Sequence, residues 1–193
     1  MSKIKSKKSN VSNKNQTIYG LHSVRAALLN DKRVHFELIL HENNRNFVRE
    51  FNLKATKITI LNKKEFEKLY RSEQSNQGII LKTKEFERPS LSDFLKNEDN
   101  QSKSIILALD QLTDPQNIGS IMRSCALFNC KGIIISKDNA PELTPSLFKA
   151  ASGAAEVVNY FRVTNLKRTI SNLKKHNYWV YGFDSSNNGN SKL

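Results

Sequence analysis

The chain has 193 residues, with 31 Lys+Arg against 18 Asp+Glu, a formal charge of +13 and a pI near 9.8. Its length suits one large domain or two small ones, its 38 % hydrophobic content is enough for a core, and it holds no apolar run of membrane-spanning length. The two cysteines, Cys125 and Cys130, are too few for a disulfide framework and have no histidine beside them for zinc, so no metal is expected and both read as core residues in a reducing cytoplasm.

The excess of positive charge points to a polyanion, nucleic acid being the commonest, with a lysine- and asparagine-biased composition as the bland alternative. Residues 1–16 carry five lysines, no acid and almost nothing apolar. They are expected to form a disordered basic tail, either an arm that grips phosphate or a solubilising extension. They lack the apolar stretch of a secretory signal and the arginines of a transit peptide.

From Thr17 to Thr83 short apolar runs alternate with amphipathic ones. "TIYG", "VHFELIL", "KITIL" and "GIILKT" read as strands, and "HSVRAALLN", "NRNFVREFNL" and "NKKEFEKLY" as helices. Strands alternating with helices predict an α/β layer, here with 12 basic and 7 acidic residues, a net +5. Residues 84–103 are polar, contain Pro89 and read as a linker with one short helical turn. A second series follows: strand "SIILALD", helix "NIGSIMRSCALFN", strand "GIIIS", helix "TPSLFKAASGA", strand "VVNYFRV", helix "NLKRTISNLKKH" and strand "YWVYGFD". This order predicts an open, mainly parallel sheet, whose ligands bind beyond the carboxyl ends of its strands, where residues 110–116 fall.

In this basic chain the charges of residues 104–136 cancel, Asp110 and Asp114 against Arg123 and Lys131. Ile118, Ile121, Met122 and Cys125 recur at one helical face, which leaves Ser120, Arg123, Ser124 and Leu127 on the other. Asn117, after Pro115, is placed to cap this helix. Gly119 lies one turn before Arg123, and without a side chain it opens the surface beside the arginine to a substrate. A capped helix with one solvated arginine accounts for the same spacing. An aspartyl phosphotransferase needs its second aspartate two residues beyond Asp110, and a phosphate-cradling loop needs a glycine-rich run ending in Lys-Ser/Thr; neither is present.

"LALDQLTDPQNIGSIMRSCALFNCKGIIIS" resembles motif 1 of the SpoU family of RNA 2′-O-ribose methyltransferases, and "KAASGAAEVVNYFRVTNLKRTI" the segment after it. "IYGLHSVRAAL" and "SNQGII" resemble the start and end of that family's RNA-binding domain, and the likeness runs over residues 17–184. The nearest subgroup methylates a guanosine ribose in large-subunit ribosomal RNA. Asn129 and Asn76 depart from the residues usual at their places.

The resemblance implies an α/β fold in two parts: a small, ribosomal-protein-like RNA-binding domain over residues 17–83, and a parallel-sheet methyltransferase domain over 104–193 that lacks its C-terminal knot. It implies Arg123 and Asn117 as catalytic residues, and Gly119 and Glu156 at substrate-binding positions. Arginine holds its proton at any ordinary pH, with a pKa above ~12. Its expected role is therefore to orient the hydroxyl and stabilise the developing oxyanion rather than to act as a base. S-adenosylmethionine is the implied cofactor, ribosomal RNA the implied partner, and a homodimer the implied assembly.

The family's cofactor motifs and much of its dimer interface are expected after "YWVYGFD". The chain is therefore expected to be C-terminally incomplete, without cofactor-binding residues, inactive alone, and to leave Trp179, Val180, Tyr181 and Phe183 poorly covered. The N-terminal domain is expected to keep a separate core. The competing readings are a non-catalytic RNA-binding protein or decayed paralogue, and a transfer-RNA 2′-O-methyltransferase.

Overall fold

The computed structural model describes residues 15–51, 53, 56–70, 76–97, 104–138 and 140–183. The expectations for the tail as far as residue 14, for Ser75 and for residues 98–103 lie outside them. Asn15 and Gln16, read as tail, belong to the first strand.

The N-terminal half is a four-stranded sheet in the order β1-β4-β2-β3. It comprises β1 (Asn15–Tyr19), β2 (His35–His41), β3 (Lys57–Leu61) and β4 (Ile79–Lys84). β4 runs antiparallel to β1 and β2, pairing Leu81 with both Ile18 and Leu38, while β2 and β3 are parallel. Alternation along the central strands turns Leu38, Leu40, Ile79 and Leu81 to one face and Ile39 and Ile80 to the other. α1 (Leu21–Leu28) covers the first face with Val24 and Ala27; α2 (Lys63–Tyr70) covers the second with Phe66. The helix expected over 44–53 is instead a series of 3₁₀ turns, Glu42–Glu50. Three asparagines there favour turns over an α-helix, and the His41 ring accepts the Asn43 N–H at 3.1 Å to fix the entry.

The C-terminal half is a parallel sheet in the order β5-β6-β7, formed by β5 (Ile106–Leu109), β6 (Gly132–Ser136) and β7 (Asn159–Val163). α4 (Pro115–Leu127) and α5 (Pro145–Ala151) pack on the face bearing Ile133 and Ile135. α3 (Leu91–Asn97) and α6 (Leu166–Lys175) place Leu95 and Leu173 against Ile134 and Phe161 on the other. This is the predicted parallel arrangement with both faces covered. The final predicted strand is not formed: Tyr178 closes the second cluster, and residues 179–183 have no regular structure. Trp179 is 87 % exposed and Phe183 95 %, as the sequence led us to expect of their cover.

The expectation of a separate N-terminal core is overturned. Ile18, Val24, Ala27 and Leu38 lie in one continuous cluster with Ile118, Met122, Phe148 and Ala151. Each of the larger side chains, taken fully from water, contributes ~1.5–3 kcal/mol, so the two halves stabilise one another. Nor is the connection between them loose. The Arg88 guanidinium donates to the carbonyls of Val158, at 3.2 Å, and Ala155, while Leu95 is buried. Gly153, in the left-handed region at φ 91°, brings α1 so close that a Cβ there would lie 2.7 Å from that of Ala26.

Candidate functional site: the α4–α5 helix pair and the junction cavity

The loop from β5 into α4 is polar and exposed, and Gln111 takes a positive φ of 54° within it. The cap of α4 is Asp114, which accepts the N–H of Gln116 at 3.1 Å and of Asn117 at 3.2 Å. The cap assigned to Asn117 is thus corrected. Pro115 occupies the first helical position, where its missing N–H costs nothing, and the cap falls one residue earlier. Asn117 is left in the first turn with its side chain exposed.

Beyond it the helix follows its predicted faces. Ile118, Met122 and Cys125 are buried, and Ser120, Arg123 and Ser124 are exposed. Gly119 does not open a surface to substrate. It is buried under α5, where a Cβ would stand 2.4 Å from the Cβ of Ala150, 2.7 Å from its carbonyl carbon and 2.8 Å from the nitrogen of Ala151. The arginine one turn on reaches across the same contact: Nη1 of Arg123 donates to the Ala150 carbonyl, and Nη2 to Ser120 Oγ at 3.3 Å. Arg123 and Gly119 therefore meet at Ala150, with Asn117 two residues, about half a turn, nearer the helix start than Gly119.

Glu156 faces elsewhere. Its Oε2 accepts from Arg33 Nε at 2.8 Å and Asn30 Nδ2 at 2.7 Å, and the two charged side chains are 4 % and 0 % exposed. Among the described residues no hydrogen bond or ion pair joins Glu156 to Arg123, Asn117 or Gly119. Arg33 also donates to Gln16 Oε1 at 2.9 Å and lies over the rings of Phe86 and Phe148. Glu156 Oε1 and Arg33 Nη2 are buried without a hydrogen-bond partner. Sequence reasoning passed over Arg33, Asn30 and Arg88. They lie in polar stretches that no periodicity distinguishes, and their role appears only when the two halves close.

A cavity of about 610 Å³ opens at this junction, walled by Arg33, Lys84, Phe86, Arg88, Glu156 and Asn159 among others. Burial lowers the Arg88 pKa to about 10; Glu156 opposes that shift and Arg33 adds to it. Asn159 begins β7, so the cavity lies at the amino end of that strand, opposite the end where parallel sheets hold ligands. Its walls carry Lys32, Arg33, Lys84 and Arg88 beside Glu85, Glu87 and Glu156, a lining of both signs that does not single out S-adenosylmethionine. Burial, with Cys130 beside it, pushes the Cys125 thiol up to about 12, which keeps it protonated and unreactive. Among the described residues no group of three metal-binding side chains occurs, and no helix is long and apolar enough to cross a membrane.

Two family descriptions match this chain: the RNA 2′-O ribose methyltransferase substrate binding domain over residues 17–89, and the SpoU rRNA Methylase family over residues 104–192. A 23S rRNA (guanosine-2′-O-)-methyltransferase of Coxiella burnetii is 33 % identical over 175 residues, covering 86 % of this chain and 68 % of that one. A putative TrmH family tRNA/rRNA methyltransferase of Staphylococcus aureus is 32 % identical over 173 residues, covering 88 % and 70 %. The fold matches the AdoMet-bound rRNA methyltransferase of Sinorhizobium meliloti with a TM-score of 0.62 at 19 % identity, over 84 % of this chain and 59 % of that one. With both halves matched in order by the family's two parts, the chain belongs to the SpoU family of S-adenosylmethionine-dependent RNA 2′-O-methyltransferases.

Proposed function

We propose that this chain serves methylation of a guanosine ribose 2′-hydroxyl in large-subunit ribosomal RNA, with Arg123 at the reacting oxygen. The observation that carries the reading is the placement of Arg123: an exposed guanidinium held at one point by a carbonyl and a hydroxyl. The likeness to the Coxiella enzyme supports the substrate. S-adenosylmethionine supplies the methyl group in this family as an electrophilic sulfonium. Arg123 orients the hydroxyl by donating to it or to the adjacent phosphate, and stabilises charge as it develops on the oxygen. Asn117, exposed one turn and a half earlier on α4, lies on the approach to that group and contributes a neutral donor and acceptor. Gly119 is assigned no contact with substrate, and neither is Glu156.

The test is incorporation of labelled methyl groups into ribosomal RNA that lacks the modification, by a form of the protein that carries the family's cofactor motifs, followed by nucleoside analysis; the 193-residue chain by itself is expected to transfer none. The expected product is 2′-O-methylguanosine. Arg123→Ala is expected to abolish incorporation with RNA retention unchanged, and Arg123→Lys to fail also, since lysine lacks the planar fork. Turnover by either variant at the wild-type rate overturns the role of Arg123. A second reading, RNA binding without transfer, rests on the net charge of +13, which attracts phosphate without any catalytic group. Retention of RNA with no label under any condition would establish it. The Staphylococcus relative's description extends to transfer RNA, so label appearing in transfer RNA alone would redirect the substrate assignment.

A further inference from the structure

We infer that Gly119 is a positioning residue for Arg123, acting through the backbone of Ala150. The inference rests on the reading of Arg123 given above, but its geometry stands apart from it. Arginine on a helix surface has many rotamers, and nothing on α4 except Ser120 accepts from its guanidinium. The second acceptor comes from α5. Ala150 lies in the final turn of that helix, where carbonyls have no intrahelical N–H partner and are free to accept from elsewhere.

One residue therefore does two things at the crossing. The body of Ala150 rests on Gly119, and its carbonyl oxygen holds Arg123 Nη1. Gly119 stands four residues before Arg123, on the same side of α4, so the contact lies directly beneath the guanidinium. Two of the three atoms nearest a Cβ at position 119 are backbone, at 2.7 and 2.8 Å, and no rotamer change relieves them. Any side chain there forces α5 away from α4, and the carbonyl withdraws from the arginine with it. Gly119 sets the separation, the separation sets the acceptor, and the acceptor fixes the cation.

The deciding experiment is nuclear magnetic resonance of arginine guanidinium groups in the uniformly ¹⁵N-labelled chain, with the Arg123 signal assigned by its loss in Arg123→Lys. In the wild type the Nη protons of Arg123 are expected to exchange with water measurably more slowly than those of Arg168, an exposed arginine on α6. In Gly119→Ala this protection is expected to vanish while the backbone signals keep the dispersion of a folded chain. Ala150→Gly added to Gly119→Ala is not expected to restore it, because the backbone clashes remain. Equal exchange at Arg123 and Arg168 in the wild type overturns the inference without recourse to any variant, and so does protection that survives Gly119→Ala.

In the methyl-transfer assay Gly119→Ala is expected to lower kcat by about 100-fold, the usual cost of misplacing a reacting group by ~1 Å, with the KM for RNA unchanged. A rise in KM alone counts against positioning. Full turnover by Arg123→Ala would refute the catalytic reading and leave the exchange result for Gly119 untouched, so the two failures are told apart.

Discussion

Replacing Glu156 by alanine tests how the halves of this molecule are joined. The carboxylate is the counter-ion of Arg33, and both side chains are almost wholly out of water. Removing it leaves the Arg33 guanidinium buried, with Gln16 Oε1 and the Lys84 carbonyl at 3.4 Å as its remaining partners. It also leaves Arg33 and Arg88, at 5.4 and 5.3 Å from the centre of the Phe86 ring, without the carboxylate that offsets their mutual repulsion. Stranding one member of a buried pair costs ~3–5 kcal/mol. At ~2–4 °C per kcal/mol for a chain of this size, Tm should fall by ~6–20 °C. The paired replacement Arg33→Met with Glu156→Leu removes both charges and both unsatisfied atoms. It is expected to recover at least half the loss, even though the arginine's two ring contacts go with it. Urea unfolding of wild type, single and double variants supplies the comparison. A single variant destabilised by less than ~1 kcal/mol, or a double variant no better than the single, would refute the view that the junction rests on this pair.

Three further outcomes are expected. Glu37 is held down to about 2 by Lys57, then Thr59 and Lys82. A carboxylate with a lowered folded pKa stabilises above its ordinary value of 4.5 and loses that contribution as pH falls towards 2; acid unfolding of Glu37→Gln should show a flatter slope in that window. The effect should be only about 1 kcal/mol, because Lys57 and Lys82 are 72 % and 44 % exposed, and an unchanged slope would remove Glu37 from the account. RNA affinity of the whole chain should drop steeply between low and moderate salt, as counterion release requires of a +13 protein, and salt-independent binding would exclude phosphate contacts. Trp179, the single tryptophan, should be quenched by iodide as readily as the free amino acid, and Trp179→Ser with Phe183→Ser should raise the concentration at which the protein self-associates.

The strands were legible because burial leaves a simple mark. "ELIL" and "GIIIS" both run apolar because helices cover both faces of the sheet at each, and β2 and β6 form there. The last segment, "YWVYGFD", has an equally strong strand composition and forms none. β-propensity describes a side chain that fits a pleated, half-buried surface, and residues 179–183 have no such surface against them. The same physics explains why the packing of Arg88 was not foreseen. Polar composition around Arg88 signals an exposed loop, yet guanidinium groups are satisfied by main-chain carbonyls, and those of Ala155 and Val158 carry no residue-type signature.

The candidate site shows where such reading stops. Helical spacing placed Arg123 on the exposed side of α4, and the structure agrees, because one period describes one helix. What holds the arginine is a second helix, met through a glycine and an alanine backbone. A glycine one turn from an arginine is compatible with an open surface or with a close crossing, and the residues of α4 are the same in both cases. The distinction belongs to α5, whose "KAASGA" buries Ala150 and Ala151 and offers the Ala150 carbonyl, near the helix end, to the arginine. Small residues on both helices were the available signal: Gly119 against Ala150 and Ala151 lets the backbones meet. Wherever a glycine faces a short run of alanines on a neighbouring helix, the crossing is the stronger expectation, and an arginine one turn away should be sought on the partner's carbonyl before it is placed in solvent.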